Sequence, residues 1–445
     1  MKTKPALTLA QLTLLCLCVL LANNAWAEAP VAPDAFSTLD IESAVRLAVE
    51  RNLSLERSRI ESAAAKRKQD RSWNSLIPSL NAGVLAVRPT SIPGHVPPEA
   101  DEWMPGFSLS ASLQISPSIA ANIRQAKEEY ELGLLSYAAA RQELEFQVRL
   151  LYYQILLLRA NTELVEQNAA SARSRCEQIL VQRRTGQASN LDELSARLDV
   201  QTQEANARNA VTAYENALGS LKNLLMIPSE ESIVPLGSLR NLQILSVADQ
   251  NAEAGTTGEA LTIGTLRKTI SSLEAQRRGL RIGSYAPSLN LAWNSSPLYS
   301  GKINDWTDNN GQFSISLSWK LDNFFPGSQA REQIDSLDDA IALQENLLRE
   351  NILNHQNTLR TLQRNIAQSL RTIETLRLNV ALAGETRRVY EDSYQQGATD
   401  LQSLYSVRDN VSLAENQLLS EQYNLAVAIL ELEKELAVPF GTFMQ

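Results

Sequence analysis

Histidine and cysteine, the side chains that most often carry catalysis or hold metals, are scarce in this chain: it has two histidines and three cysteines in 445 residues. His95 falls in a polar loop and His355 in a predicted helix. Two scattered histidines form neither a metal site nor an acid–base pair. No phosphate-binding glycine loop, zinc-type spacing or nucleophile elbow appears either. The sequence therefore predicts a protein that is not an enzyme and takes no cofactor or metal.

Two of the three cysteines lie in an N-terminal segment with the features of an export signal. Residues 1–27 begin with positive charge, continue with an apolar run that contains Cys16 and Cys18, and end in Ala25-Trp26-Ala27, the small–x–small form of a cleavage site. Removal of this signal leaves Cys176, which alone cannot form an internal disulfide. A structural role in a helix is the expectation for Cys176.

The charge balance argues against a nucleic-acid partner. The formal net charge is −9, and it becomes −11 once Lys2 and Lys4 leave with the signal. Binding to nucleic acid calls for a basic face instead. After the signal, no apolar run approaches the roughly 20 residues that a spanning helix needs. If the chain enters a membrane, it must do so as strands.

Long helices are predicted where prolines are absent, between Ser118 and Ile227 and between Gly327 and Val438. In the second window apolar residues recur at steps of three and four, as in a coiled coil. They are Leu359, Leu362, Ile366, Leu370, Ile373, Leu376 and Val380. Each window has one strong break, at Gly186 and at Gly397, where a glycine can end one helix and a polar residue begin the next. Each window is therefore predicted to be a helical hairpin with an arm of about 100 Å.

The chain is predicted to be a tandem duplication. The letters PSLN begin at Pro78 and again at Pro287, 209 residues later, and the breaks at Gly186 and Gly397 are 211 residues apart. Recurrence at a nearly constant offset is the signature of a repeated unit. The predicted organisation is a signal at 1–27, a first repeat at 28–228, a connector at 229–259 and a second repeat at 260–445.

Each repeat contains two segments that alternate between apolar and small polar residues. Phe107–Ser116 and Phe313–Asp322 alternate without a fault, and the PSLN segments behave alike. A soluble sheet with one wet face and a membrane sheet both fit this pattern. Aromatic residues at the strand ends favour the membrane, and four strands are too few to close a barrel, so several chains would share one. The polar face, predicted to line a wet lumen, comprises Ser108, Ser110, Ser112, Gln114, Ser288, Asn290, Ser314, Ser316 and Ser318.

The order of these features resembles the TolC family of outer-membrane efflux proteins over nearly the whole mature chain. The resemblance rests on an opening helix from Leu39 (LDIESAVRLAVERNLSLERS), the PSLN strands, the two hairpins, and the Tyr394-Gln395-Gln396-Gly397 turn followed by Leu401 and Leu404. No single motif is specific; their order, spacing and duplication are.

The resemblance implies a mainly α fold with a membrane β part, in which a homotrimer builds a twelve-stranded β-barrel that continues into a periplasmic α-helical barrel. It implies the outer membrane of a Gram-negative bacterium, with outer-membrane lipid around the barrel. The expected partners are a periplasmic adaptor (membrane fusion) protein and an inner-membrane transporter. The expected function is a passive exit duct of a tripartite efflux or type I secretion system, for small molecules or proteins. The alternative is a coiled-coil scaffold that encloses no pore.

Carried over by position, the hairpin turns form the periplasmic tip, which contacts the adaptor and acts as the gate. The residues expected there are Arg183, Arg184, Gly186, Asp192, Glu193, Tyr394, Gly397, Asp400, Leu401, Ser403, Leu404 and Ser406. Relatives carry gate carboxylates where this chain has Ser403 and Ser406. Either Asp192 or Asp400 replaces them, or the gate is mainly polar.

Overall fold

The structure, a computed structural model, describes residues 38–87, 103–239, 260–297 and 311–444. The predicted export signal and His95 lie outside these residues, as does most of the predicted connector, which is described only as far as Leu239.

The described chain is mainly helical, as predicted, with one small sheet. The helices are α1 (Ile41–Arg51), α2 (Leu53–Asp70), α3 (Ser118–Arg184), α4 (Asn190–Leu224), α5 (Leu261–Tyr285), α6 (Gln329–Gln395) and α7 (Leu401–Glu435). The strands are β1 (Ser79–Val87), β2 (Met104–Ile115), β3 (Ser288–Ser295) and β4 (Gln312–Ser318). None of the described helices has an apolar stretch sufficient to cross a membrane.

The long helices form two hairpins of matching dimensions. Helices α3 and α6 have 67 residues each, and α4 and α7 have 35 each. The turns fall at Gly186 and Gly397, whose φ angles of +77° and +74° lie in the left-handed region that glycine adopts without strain. Helix α3 packs on α4, α6 packs on α7, and α3 also packs on α7. The four helices therefore lie side by side in the order α4, α3, α7, α6.

The opening helix is not continuous, which corrects the prediction of one helix from Leu39. Helix α1 ends at Arg51 because Asn52 adopts an extended conformation with ψ 119°. The Asn52 Oδ1 atom accepts hydrogen bonds from the backbone N–H groups of Ser54 and Leu55 at 3.0 and 3.1 Å, which makes it the N-cap of α2. Its Nδ2 donates to the carbonyl of Leu224 at 3.4 Å, so the end of α4 meets the start of α2.

The main core lies around the middle of α3, where the N-terminal segment and the connector cross it. The Tyr152 hydroxyl lies 2.8 Å from the carbonyl oxygen of Leu39 and 2.6 Å from that of Leu236. Arg159 donates to the Pro235 carbonyl at 2.7 Å. We call this region the waist: residues 38–40 and 233–239 with Tyr152 and Arg159. It fastens two otherwise irregular segments to the long helix.

Tyr152→Phe is expected to lower the free energy of unfolding by about 1–2 kcal/mol, because the hydroxyl hydrogen bond that holds the waist segments on α3 is lost. Thermal unfolding of the detergent-purified protein, followed by circular dichroism, measures the change. Tyr153→Phe is the matched control, since Tyr153 is also buried but its hydroxyl makes no hydrogen bond within the described residues. Equal losses in the two variants would contradict the assignment to the Tyr152 hydroxyl.

A half-buried ion pair joins the two repeats nearer the sheet. Lys268 of α5 lies 2.8 Å from the Glu128 carboxylate of α3, which also accepts from the Ser271 hydroxyl at 2.9 Å. The hydrogen bond from Lys268 lowers the pKa of Glu128, although burial opposes the shift.

A carboxyl whose pKa is lowered by folding stabilises the protein above its unfolded pKa, and that stability is lost as pH falls through the folded pKa. Glu128→Gln is therefore expected to cost about 1 kcal/mol at pH 7 and little once the wild-type carboxyl is protonated. Unfolding midpoints measured from pH 7 down to pH 3 test this. A constant deficit across that range would contradict it.

Candidate functional site

The sheet places every predicted lumen residue on one face. Its strands are all antiparallel in the order β1-β2-β3-β4. Ser110 pairs with Asn81 on one side and Asn294 on the other, and Asn290 pairs with Gln114 and Ser316. Cross-strand partners project to the same side of a sheet. The polar face therefore comprises Ser108, Ser110, Ser112, Gln114, Ser288, Asn290, Ser314, Ser316 and Ser318, together with the polar partners that these strands add.

The opposite face of the sheet is apolar and largely uncovered by the chain itself. Val84 exposes 92% of its surface and Leu317 exposes 72%. Leu80, Phe313 and Ile315 are also exposed. An apolar face of this extent requires a partner or a lipid environment.

Strand β4 is shorter than its sequence pattern indicated. It ends at Ser318, and a 3-10 turn follows at Leu321–Phe324, so Lys320 and Asp322 are not part of the polar strand face. The cause is the Trp319 indole, whose Nε1 donates to the Tyr285 carbonyl at 2.9 Å and draws the chain back toward α5. Exposed aromatic residues lie at the junctions between the helices and the strands. They are Trp73, Trp319, Phe324 and Phe325.

The first hairpin turn is stabilised by local hydrogen bonds and ion pairs. Ser189 and Asp192 form a capping box, with the Ser189 Oγ accepting from Asp192 N at 3.1 Å and the Asp192 carboxylate accepting from Ser189 N at 2.8 Å. The Glu193 carboxylate lies 2.5 Å from both Arg183 and Arg197. Arg184 is exposed at the end of α3. The acidic groups of this turn are therefore engaged by neighbours on their own hairpin.

The second turn is also stabilised by an aspartate that caps the following helix. The Asp400 carboxylate accepts from Ser403 N at 2.7 Å and caps α7, and this hydrogen bond lowers its pKa. Ser406 is exposed and Ser403 is half-buried, whereas Leu401 and Leu404 are buried. Gly397 donates to the Tyr394 carbonyl at 3.0 Å and closes the turn.

A small apolar cluster joins the two turns. Ile179 of α3, Ala196 of α4 and Leu401 of α7 form its buried centre, with Tyr394 and Tyr405 packed against it. Burial raises the pKa of the Tyr394 hydroxyl, and the nearby charge of Asp192 raises it further. Tyr394 and Asp192, predicted for opposite turns, are thus brought together, while Arg184 and Ser406 remain at the surface. We call Ile179, Ala196, Leu401, Tyr394 and Tyr405 together the tip cluster.

Sequence reasoning missed the polar layer just above the tip cluster, where Arg408 of α7 pairs with Asp199 of α4 at 3.2 Å. A signal was available, because Leu401, Leu404, Arg408 and Val411 follow helical spacing and put an arginine on the buried stripe of α7. Within the described residues, no group of three or more metal-ligating side chains occurs.

Solved structures of outer-membrane proteins share this fold. The chain is 15% identical to VceC of Vibrio cholerae, with a TM-score of 0.77 over 90% of this chain and 96% of that one. The Campylobacter jejuni channel CmeC gives 15% identity and 0.75 over 89% and 85%. The open state of the Neisseria gonorrhoeae channel MtrE gives 16% and 0.72 over 89% of each. The chain therefore shares the fold of these channels.

A family model matches the first part of the sequence. Residues 44–225 match the family model described as outer membrane efflux protein. No curated protein sequence matches the chain. The resemblance to the TolC family of outer-membrane efflux proteins is confirmed by this match together with the shared fold.

Proposed function

We propose that the protein is the outer-membrane exit duct of a tripartite efflux or type I secretion system, a passive conduit that catalyses nothing. The observation that carries the proposal is the sheet, which is polar on one face and bare and apolar on the other. A water-filled interior and a lipid-facing exterior need that division.

The sheet also supports a homotrimer. Strands β1 and β4 are its two edges, and each pairs with one neighbour among the described strands. Lipid forbids open sheet edges, and single-chain barrels start at eight strands. Three copies, with β4 of one beside β1 of the next, give twelve strands in a closed barrel.

The helical layer has matching edges for the same arrangement. Helices α4 and α6 lie at opposite sides of the layer, and both carry exposed apolar side chains near the turns. On α4 these are Leu191, Leu194 and Leu198; on α6 they are Leu378, Leu382 and Val389. Two different edges that fit each other generate a ring when the rotation closes. The helices would then continue the barrel as a tube of about 100 Å into the periplasm.

The hairpin turns are the proposed contact with a periplasmic adaptor protein, which links the duct to an inner-membrane transporter. They lie at the far end of the α3 and α6 arms from the sheet, where a partner in the periplasm can reach them. The transporter supplies the energy, and the duct serves small molecules or proteins according to that transporter.

Membrane fractionation, cross-linking and planar-bilayer recording of the purified protein test the proposal together. The protein is expected to stay in the outer membrane after salt and carbonate washes, to cross-link as a trimer, and to conduct ions. A protein that washes off as a monomer without conductance would instead be a coiled-coil scaffold.

A further inference from the structure

A group of charged and polar side chains lies between the two hairpins, about three helical turns above Gly186, with Arg408 buried, three members half-buried and Asp409 exposed. We call it the charge cluster. It consists of Arg175 on α3, Asp199 on α4, and Tyr405, Arg408 and Asp409 on α7. It lies directly above the tip cluster, to which Tyr405 also belongs.

One ion pair in the charge cluster joins the hairpins. The Nη1 atom of Arg408 lies 3.2 Å from the Asp199 Oδ2 atom, with 7% and 15% of the two side chains exposed. The Asp199 Oδ1 atom accepts a second hydrogen bond from Gln203, one turn along α4, at 3.3 Å. Separating the hairpins therefore takes Asp199 away from Arg408. Breaking a buried pair is costly chiefly because it leaves a buried charge uncompensated.

Arg175 is a second cation beside the same carboxylate. Its Nε and Nη2 atoms are inaccessible and make no hydrogen bond with any described residue, and the same is true of the Tyr405 hydroxyl. The guanidinium lies 5.9 Å from the Tyr405 ring centroid. Burial raises the pKa values of Asp199 and Asp409, and in both cases the charge of Arg175 opposes the rise. Arg175 is thus close enough to both carboxyls to act on them electrostatically without a hydrogen bond to either.

We propose that the charge cluster exchanges one salt bridge for another, which we call the salt-bridge exchange. Asp199 pairs with Arg408 while the two hairpins are joined, and it pairs with Arg175 once they separate. Arg175 and Asp199 belong to the same hairpin, so they remain neighbours when α7 moves away. The unused N–H groups of Arg175 then compensate the carboxylate that Arg408 has released. Arg408, at the face of the departing helix, is compensated by water.

The exchange explains why the Nε and Nη2 atoms of Arg175 are inaccessible without hydrogen bonds in the joined state. Unsatisfied buried N–H groups destabilise that state, whereas the pair with Asp199 stabilises the separated one. Both effects reduce the free-energy difference between the joined and the separated hairpins, and a two-state element requires a small difference. The inference rests on the proposed function, because separation of the hairpins has a purpose only if they enclose a gate.

The test compares Arg408→Gln with Arg175→Gln by hydrogen exchange of residues 401–415 in the purified full-length protein. Arg408→Gln removes the joining pair and is expected to speed exchange about tenfold. Arg175→Gln removes the destabilising cation and its receiving role, so exchange is expected to slow by a similar factor. Arg175→Lys keeps the charge and is expected to stay near wild type. Arg173→Gln, which breaks the exposed pair with Glu204, is the matched control and should change little.

The opposite signs are decisive. If Arg175 merely holds the hairpins together, its loss speeds exchange as the loss of Arg408 does, and that result overturns the proposal. Planar-bilayer recording of the wild type and the same variants measures conductance and so tests the proposed function separately. A wild-type protein without conductance would refute the duct, while the exchange signs would still decide the salt-bridge exchange.

Discussion

Gly311→Val is expected to prevent correct assembly of the sheet and to reduce the washed-membrane fraction of the protein at least about tenfold. Gly311 directly precedes β4, and a Cβ there would lie 2.6 Å from the Trp293 Nε1 atom and 2.8 Å from two ring carbons. Its φ of +77° adds strain for a β-branched residue. Together the collision and the strain cost about 3–4 kcal/mol. Immunoblots of washed outer membranes measure the outcome.

Gly327→Val is the control, because it introduces the same backbone strain as Gly311→Val without a steric collision. Gly327 has a φ of +84°, but nothing lies within 4 Å of a Cβ built there. It should therefore lose far less membrane protein than Gly311→Val. Adding Trp293→Ala to Gly311→Val removes the obstructing ring and should recover part of the loss. If Gly311→Val inserts normally, the packing of β3 against the start of β4 is wrong.

Gly397→Val is expected to weaken adaptor capture and export several-fold while leaving the sheet and the waist intact. No atom lies within 4 Å of a Cβ at Gly397, so the effect comes from its φ of +74°, which costs a β-branched residue about 1–2 kcal/mol. The turn relieves that strain by changing the angle at which α7 leaves α6. Adaptor pull-down and the susceptibility of cells to an exported compound measure it.

Gly397→Asn is the control for that substitution, because asparagine tolerates the left-handed region. It should capture the adaptor nearly as well as the wild type. Gly186 has a φ of +77° and equally open space around a Cβ. The Gly186→Val and Gly186→Asn variants therefore test whether the first turn also contributes to adaptor capture. Full export with normal adaptor capture by both valine variants would argue against the tip assignment.

Features set by local chemistry were predictable from the sequence. The proline-free windows and the glycines at 186 and 397 indicate the long helices and their turns because helix termination is decided within a few residues. The division of Ser110 from Leu109 into opposite faces follows from the two-residue period of a strand alone.

Features set by distant partners were not predictable. The Asn52 side chain at the break between α1 and α2 donates to the Leu224 carbonyl of α4, and the early end of β4 depends on a carbonyl of α5. The charge cluster shows the limit most clearly. The 211-residue offset that aligns Gly186 with Gly397 also aligns Arg197 with Arg408. Yet Arg197 is 60% exposed beside Glu193, whereas Arg408 is buried against Asp199.

The waist determines how rotation is transmitted along the molecule. Helix α3 is gripped at Tyr152 and Arg159, and from Arg159 to the end of the helix it extends about 40 Å. Because a long helix is stiff, a tilt of about 5° at the waist, shared by the helices packed on α3, would displace its end by about 3–4 Å. A change in packing too small to disturb the core would therefore reach the turn as a movement the width of a side chain.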